Sequence, residues 1–410
     1  MTQPADLQSD RHVAVLLPTL AAGGVARVYV DLANGFAERG FRVDLVLHSA
    51  RGPHLARVGP AVRIVELERH SRLSARTRIL SAHDGPLREL LRPVLLSLSD
   101  PRAYRGLASL VHYLERERPE VLLTAKTHSN LAALWARELA GTSTRVVVSE
   151  RTNLSLQMAR KPQWRWRHIA PLVARLYPRA DAIIAVSDGV SDDLSSIAGI
   201  ERGRIQTVYN PIDADRIQEL AREPASHPWL GEQQPFVLGV GRLVPQKDFL
   251  LLLEAFAKLA AQRSDLRLVI LGEGDERPRI QARARDLGLE ERVDLPGYQS
   301  NPYPYMARAG AFALSSAWEG LPGALLEALC CDCPVVATDC PSGPREILEG
   351  GSIGELVPVG DAASLSKALA RVLDHPPAPG TLRKRGEMFG AAAAIEGYLR
   401  VLFEADLPSA

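Results

Sequence analysis

The 410-residue chain is 46% hydrophobic and 24% charged, which excludes a disordered chain and, at roughly 100–200 residues per domain, points to two folded domains. Its net charge of +1 is a cancellation: residues 1–205 carry 29 Lys and Arg against 20 Asp and Glu, and the remainder carries 20 against 28. The two halves therefore face different partners, and the basic half admits nucleic acid, anionic lipid or a phosphorylated substrate.

The opening decapeptide MTQPADLQSD lacks the apolar core of a signal peptide. No window reaches the ~20 apolar residues that span a bilayer, so the expectation is a cytoplasmic protein. Apolar runs at His12–Leu17, Val43–Leu47, Val121–Thr124, Val146–Ser149 and Ile183–Val186 read as buried parallel strands alternating with helices. Val28, Leu32 and Phe36 fall at helical spacing before Gly40, which makes a first βαβ unit. Residues 71–110 break the alternation. Within them Leu87, Leu90, Leu91, Val94, Leu95 and Leu98 fall on one helical face interrupted by Pro93, which predicts an inserted helical segment. From Arg151 to Arg179 seven cationic residues occur with no acidic one, interleaved with Trp164, Trp166 and Tyr177. That combination fits anionic lipid headgroups, with nucleic acid and a merely solvated basic helix as the competing readings.

Asn210-Pro211 and the polar stretch to Gln234-Pro235 read as a linker over residues 211–234. The pattern then restarts, with strands at Phe236–Val240, Leu268–Leu271, Val293–Leu295, Ala311–Leu314 and Pro334–Thr338, and helices at Leu250–Ala261, Arg277–Leu287 and Ala324–Leu329. The expected organisation is an N-terminal domain over residues 1–210, a C-terminal domain over 235–380 and a helical segment over 381–410 that packs back on the first. Two doubly wound α/β domains would hold a ligand in a cleft between the carboxyl ends of their sheets. Cys330, Cys331, Cys333 and Cys340 form no disulfide framework, and the adjacent pair lacks zinc-ligand spacing, so reduced thiols are expected.

Chemistry concentrates in residues 315–329, Ser-Ser-Ala-Trp-Glu-Gly-Leu-Pro-Gly-Ala-Leu-Leu-Glu-Ala-Leu. Here a glycine-rich turn leads into a helix whose unpaired amides favour an anion such as a diphosphate. Glu319 stands at the mouth of the turn and Glu327 two helical turns on, where it could accept bonds from ribose hydroxyls. Asp213-Ala-Asp215 matches a D-x-D metal motif in form, but its position after Asn210-Pro211 reads as a turn and cap.

Glu319 and Glu327, eight positions apart, resemble the E-x7-E signature of the GT4 retaining glycosyltransferases, α/β enzymes of the GT-B fold with two Rossmann-like doubly wound domains. Gly239-Val-Gly-Arg-Leu-Val-Pro-Gln-Lys247-Asp-Phe resembles the family's G-R-L-x-x-x-K-G segment, although Phe249 replaces the glycine often found beside the lysine. Val186-Ser-Asp-Gly-Val, Val208-Tyr-Asn-Pro-Ile-Asp, Leu271-Gly-Glu-Gly-Asp, Leu295-Pro-Gly-Tyr and Pro334-Val-Val-Ala-Thr-Asp follow in the family's order.

The resemblance implies a hexosyltransferase with Arg242 and Lys247 clamping the donor diphosphate, Glu319 near the anomeric centre and His128 against the transferred sugar's 6-position, with Lys126 a weaker neighbour. Gly23 and Gly24 would approach the donor phosphates, Tyr298 would border the nucleobase, and Gly241, Gly320, Leu321, Pro322, Gly323, Ala324, Leu325 and Glu327 would line the donor site. It further implies a nucleotide-sugar co-substrate, UDP-linked by analogy of Thr338–Leu348, with no cofactor and no metal. The expected acceptor is a glycan or a lipid-linked saccharide, with no nucleic acid. Arg151–Arg179 and the Leu87–Leu98 face would give peripheral membrane attachment. A nucleotide-sugar epimerase of the same fold is the alternative.

Overall fold

The computed structural model describes residues 11–21, 23–97, 101–160, 164–224, 227–231 and 235–403. The chain forms two compact units, residues 1–211 with 392–410, and residues 212–391.

The first unit is built on seven parallel strands: β1 (His12–Leu17), β2 (Arg42–Leu47), β3 (Val62–Glu66), β4 (Val121–Ala125), β5 (Arg145–Glu150), β6 (Ala182–Ala185) and β7 (Ile205–Thr207), in the order β3-β2-β1-β4-β5-β6-β7. Helices cover the faces, so the central strands bury both sides and are continuously apolar. Val13, Val15, Leu45, Leu123 and Val147 are buried together in one core with Val28, Leu32 and Phe36 of the first helix. The order reverses between β1 and β4, and the carboxyl ends of those two strands flank the crevice where open α/β sheets take ligands.

The crossover from β3 to β4 holds the inserted helices Arg72–Ala82, Leu87–Leu90, Arg102–Arg105 and Leu107–Glu117. The expected single face at Leu87–Leu98 is split. Pro93 has no N–H to donate, and residues Leu91–Leu95 widen into a π-helical turn. Leu90, Pro93 and Val94 turn inward while Leu87, Leu91 and Leu96 stay exposed; Leu98 lies outside the described residues. Helix Ala391–Phe403 completes this unit, with Tyr398 edge-on to Tyr29 at 6.4 Å and Phe403 stacked on Phe41 at 5.2 Å.

The second unit has six parallel strands, β8 (Phe236–Val240), β9 (Arg267–Leu271), β10 (Val293–Gly297), β11 (Ala311–Leu314), β12 (Val335–Thr338) and β13 (Glu355–Val357), in the order β10-β9-β8-β11-β12-β13. Its reversal lies between β8 and β11. The linker expectation for 211–234 is corrected here: Asp213 caps helix Ala214–Ala221 by accepting from the Arg216 amide at 3.0 Å, and Ile217 of that helix is buried. The polar composition marks an exposed amphipathic helix of the second unit, whose boundary falls at Pro211. Helix Thr381–Glu387 also belongs to this unit, so the C-terminal segment divides near residue 391. The four cysteines are free, and burial pushes the Cys330 and Cys340 thiols up to about 12.

A buried ionic cluster pins the first sheet. The fully buried Asp44 of β2 accepts from Arg63 Nε of β3 at 2.8 Å and from Tyr113 Oη at 2.7 Å, and His12 Nε2 of β1 lies 2.9 Å away. Burial alone would raise the pKa of Asp44, but these hydrogen bonds outweigh it and hold the carboxyl well below the usual carboxylate range. A depressed folded-state pKa contributes stability that is present above the unfolded value of about 4 and lost as pH falls below it. Asp44→Asn is therefore expected to destabilise the first unit by about 3 kcal/mol at neutral pH and to flatten its acid sensitivity. Urea unfolding at pH 7 and at about pH 2.5, below the unfolded carboxylate value, measures this; equal stability of the two proteins at pH 7 would contradict it.

Candidate active site

In the second unit the loops after β8 and β11 are stitched together across the strand-order reversal. Ser315 Oγ donates to the Lys247 carbonyl at 2.8 Å, Gln246 Nε2 to the Trp318 carbonyl at 3.0 Å, and the Ala317 amide to the Gln246 carbonyl at 2.9 Å. This framework carries an ion pair. Lys247 Nζ donates to Glu319 Oε1 at 2.6 Å, and Ser316 Oγ donates to the same oxygen at 2.7 Å. The two side chains are only 15% and 8% exposed, so the pair is held in a low-dielectric, fixed geometry. The Lys247 stem packs directly over Gly241, where a Cβ would stand 3.1 Å from Lys247 Cε.

Arg242, two residues beyond β8, is exposed, and its side chain has no hydrogen bond or ion pair among the described residues. Gly320, Leu321 and Pro322 form the buried turn before helix Gly323–Cys330, which begins with Gly323, Ala324 and Leu325 and has no acidic residue in its first turn. The Gly323 and Ala324 amides that open the helix have no partner among the described residues and suit an anion, and the Arg242 guanidinium stands in the same unit just beyond a strand's carboxyl end. Glu327 lies buried on the same helix. Tyr298 is 63% exposed just beyond β10, two strands away from β8; the structure does not bring it against the ion pair.

In the first unit Gly23 directly precedes helix Gly24–Glu38 with φ 141°, a conformation that favours glycine. A Cβ at Gly23 or Gly24 would meet nothing within 4 Å, which leaves the loop open to a ligand. His128 lies in the first turn of helix Thr127–Ala140, after β4 and therefore on the other side of the β1/β4 reversal. Its Nδ1 is 2.9 Å from Tyr104 Oη, and its ring packs between Tyr104, at 5.4 Å and nearly perpendicular, and Trp166, at 4.6 Å. The inserted helices thus supply the partner that orients this imidazole. The preceding Lys126 has φ 76°, a costly backbone state for a residue with a side chain.

Behind this turn lies a group that sequence reasoning missed. Glu150, at the end of β5, is buried; burial pushes its pKa up to about 7 against hydrogen bonds from Tyr177, Thr127 and Asn130. Asn130 Nδ2 also donates to the Ser149 carbonyl at 3.0 Å, tying the His128 turn to the strand end. An acidic residue ending an apolar strand was the available signal.

The cationic residues between Arg151 and Arg179 have unlike surroundings. Arg151 is buried and donates to Tyr398 Oη at 2.7 Å and to Asn210, Arg175 pairs with Glu89, and Arg179 pairs with Asp84. Trp166 and Tyr177 are buried, and Lys161 lies outside the described residues. Acidic partners far away in sequence thus neutralise Arg175 and Arg179, whereas Arg167 stays exposed.

Residues 225–389 match the family described as Glycosyl transferases group 1, and residues 22–216 match Glycosyltransferase Family 4. The chain is 35% identical over 364 residues, 89% of its length and 90% of the relative's, to the N-acetylgalactosamine-N,N'-diacetylbacillosaminyl-diphospho-undecaprenol 4-alpha-N-acetylgalactosaminyltransferase of Campylobacter jejuni. It is 26% identical to the lipopolysaccharide core biosynthesis glycosyltransferase LpsE of Rhizobium meliloti, with 93% and 96% of the two chains covered. Its fold is similar to HepE of Anabaena, solved with UDP and glucose, at TM-score 0.72 and 19% identity over 96% and 99% of the chains. The fold and these matches define a glycosyltransferase. The chain belongs to the GT4 family, whose GT-B architecture of two Rossmann-like domains its two parallel sheets reproduce.

Proposed function

We propose that the protein transfers a hexose or N-acetylhexosamine, with retention of configuration and without a metal ion, from a UDP-sugar to a lipid-linked saccharide. The Lys247–Glu319 ion pair at the β8/β11 reversal is the observation that carries this reading. A lysine, an unpaired arginine and a helix N-terminus in one unit suit a leaving diphosphate, whose developing charge such preorganised donors stabilise. The leaving phosphate oxygen helps take the acceptor's proton. Glu319 positions Lys247 and the sugar hydroxyls, and Glu327 contributes to donor affinity. The UDP named with HepE and the diphospho-undecaprenol acceptor in the name of the Campylobacter relative support the choice of donor and acceptor class. A thermal-shift screen of nucleotides and nucleotide sugars tests it: stabilisation by UDP and UDP-sugars is expected, and stabilisation by NAD but by no UDP or GDP compound would overturn it.

His128, oriented by Tyr104, reads the transferred sugar in this scheme. Tyr104→Phe removes one hydrogen bond of about 1 kcal/mol, so KM for the donor is expected to rise about fivefold with kcat little changed. Steady-state kinetics with an unchanged donor KM would remove Tyr104 from the account.

Attachment to an anionic membrane belongs to the same proposal. Leu73, Leu87, Leu91 and Leu96 of the inserted segment are all exposed, at 73%, 63%, 44% and 56%, and among the described residues no helix is long and apolar enough to cross a membrane. Liposome flotation is expected to recover the protein with anionic vesicles and to lose it when Leu87 and Leu91 become serine; equal, negligible flotation with neutral and anionic vesicles would exclude attachment.

A further inference from the structure

A second polar site lies in the first unit, beyond the carboxyl ends of β2 and β3. A cavity of about 410 Å³ is lined by His48, Glu66, Leu67, Glu68 and Arg69. His48 follows β2 and is 1% exposed, yet neither of its ring nitrogens has a hydrogen-bond partner among the described residues. Burial, reinforced by the charge of Arg69, pushes its pKa down to about 4, so near neutrality it is an uncharged group with one donor and one acceptor to offer. A buried polar side chain without partners is costly unless a ligand supplies them.

The surroundings are cationic. Arg51, Arg69 and Arg102 are exposed and form no ion pair or side-chain hydrogen bond among the described residues. Burial and then the charges of Arg51 and Arg69 lower the proton affinity of Arg102, and the Gly106 amide, donating to the Arg102 carbonyl at 3.1 Å, ties this helix to the residue that packs on His48. Glu66 and Glu68 line the same cavity and likewise pair with none of them. The walls are fixed: the His70 amide donates to the Arg105 carbonyl at 2.9 Å, Arg105 Nε returns a bond to the His70 carbonyl at 3.0 Å, and the Glu68 amide donates to Ser109 Oγ at 3.2 Å. Gly106 lets the inserted helices close on His48, since a Cβ there would lie 2.6 Å from Nδ1.

Adjacent cations and uncombined carboxylates around a buried neutral imidazole suit a ligand that carries both a charged phosphate group and sugar hydroxyls. We propose that His48, Arg51, Arg69 and Arg102 bind the diphosphate of a glycosyl-diphosphate acceptor, with Glu66 and Glu68 accepting hydrogen bonds from its sugar. This rests on the reading of the protein as a transferase acting on lipid-linked saccharides, and it moves the anion-binding surface away from Arg151–Arg179.

The test is calorimetric titration of the full chain, with UDP saturating, by farnesyl-diphospho-N-acetylglucosamine in neutral detergent. The Arg51→Ala/Arg69→Ala/Arg102→Ala protein is expected to bind at least about tenfold more weakly, and the uncharged farnesyl N-acetylglucosaminide to bind neither protein. Arg69→Glu alone, at an exposed position, is expected to weaken binding several-fold and keeps the test open should the triple variant not fold. Unchanged affinity in a folded variant, or equal binding of the uncharged analogue, overturns the site. Full displacement of the probe by phosphatidylglycerol vesicles also overturns it, because the cluster would then be a headgroup surface. Failure of UDP to bind would remove the proposed donor chemistry and leave an arginine-dependent affinity for the probe standing.

Discussion

Lys247→Ala is expected to lower kcat for donor turnover by about 10²–10³-fold, the range found when one preorganised donor to a developing charge is removed. Two effects add. The leaving diphosphate loses a cation placed at the β8/β11 reversal, and Glu319, 8% exposed and bonded to Lys247 Nζ at 2.6 Å, keeps only the Ser316 hydroxyl as partner. An unpaired buried carboxylate repels the same phosphate that the lysine attracted. Lys247→Arg should rescue poorly, because a planar guanidinium is not interchangeable with a compact ammonium. The loss belongs mainly in kcat, since an interaction made chiefly in the transition state moves kcat and kcat/KM together. Near-normal turnover by the folded variant would refute the assignment.

Glu319→Gln is expected to cost about 10²-fold in kcat for a different reason. The amide keeps the shape and can still accept from Ser316 Oγ, but it no longer neutralises Lys247, whose ammonium is 15% exposed. With its counter-ion gone, Lys247 is free to leave the position that Glu319 Oε1 defines. Ground-state donor binding should be weakened less than turnover, or even improved, since the site then presents an extra net positive charge to a diphosphate. Parallel tenfold losses in KM and no change in kcat would instead make Glu319 a plain donor-binding residue. Comparison with Glu327→Gln, expected to act on donor KM, separates the two carboxylates.

The fold was legible where burial dictates composition. Central strands of a parallel sheet are apolar on both faces, and β1, β2, β4 to β6, β8, β9, β11 and β12 stand out in the sequence for that reason. Of the edge strands, β10 shows through Val293 and Leu295, and the others escape notice. β3 reads Val-Arg-Ile-Val-Glu with three exposed positions, and β7 and β13 are three residues each, too short and too polar to differ from a loop. Helix Ala214–Ala221 was hidden because it is only eight residues long, so its apolar side is one short step from buried Ile217 to half-buried Leu220 and Ala221.

Within the site, Lys247 and Glu319 were readable because each lies within a few residues of a strand's end. Their ion pair, 72 positions apart, is set by strand order and not by spacing. Tyr104 could not be read at all: it reaches His128 from an insertion that breaks the α/β rhythm. The pairings within the run from Arg151 to Arg179 were hidden for the complementary reason. Sequence shows the charges but not Glu89 and Asp84, which pair with Arg175 and Arg179 from 86 and 95 positions away. Arg51, Arg69 and Arg102, which have no side-chain partner among the described residues, are scattered singly in the sequence, and the anion site proposed for them follows from the fold.

The most direct measurement is proton NMR of the anomeric signal during turnover of an α-linked UDP-hexose or UDP-N-acetylhexosamine with a lipid-linked saccharide acceptor, in the presence of EDTA. The account predicts UDP release, a new glycosidic bond whose anomeric coupling is that of the α configuration, and no loss of rate to the chelator. A β-configured product, or turnover that EDTA abolishes and added divalent metal restores, would contradict it.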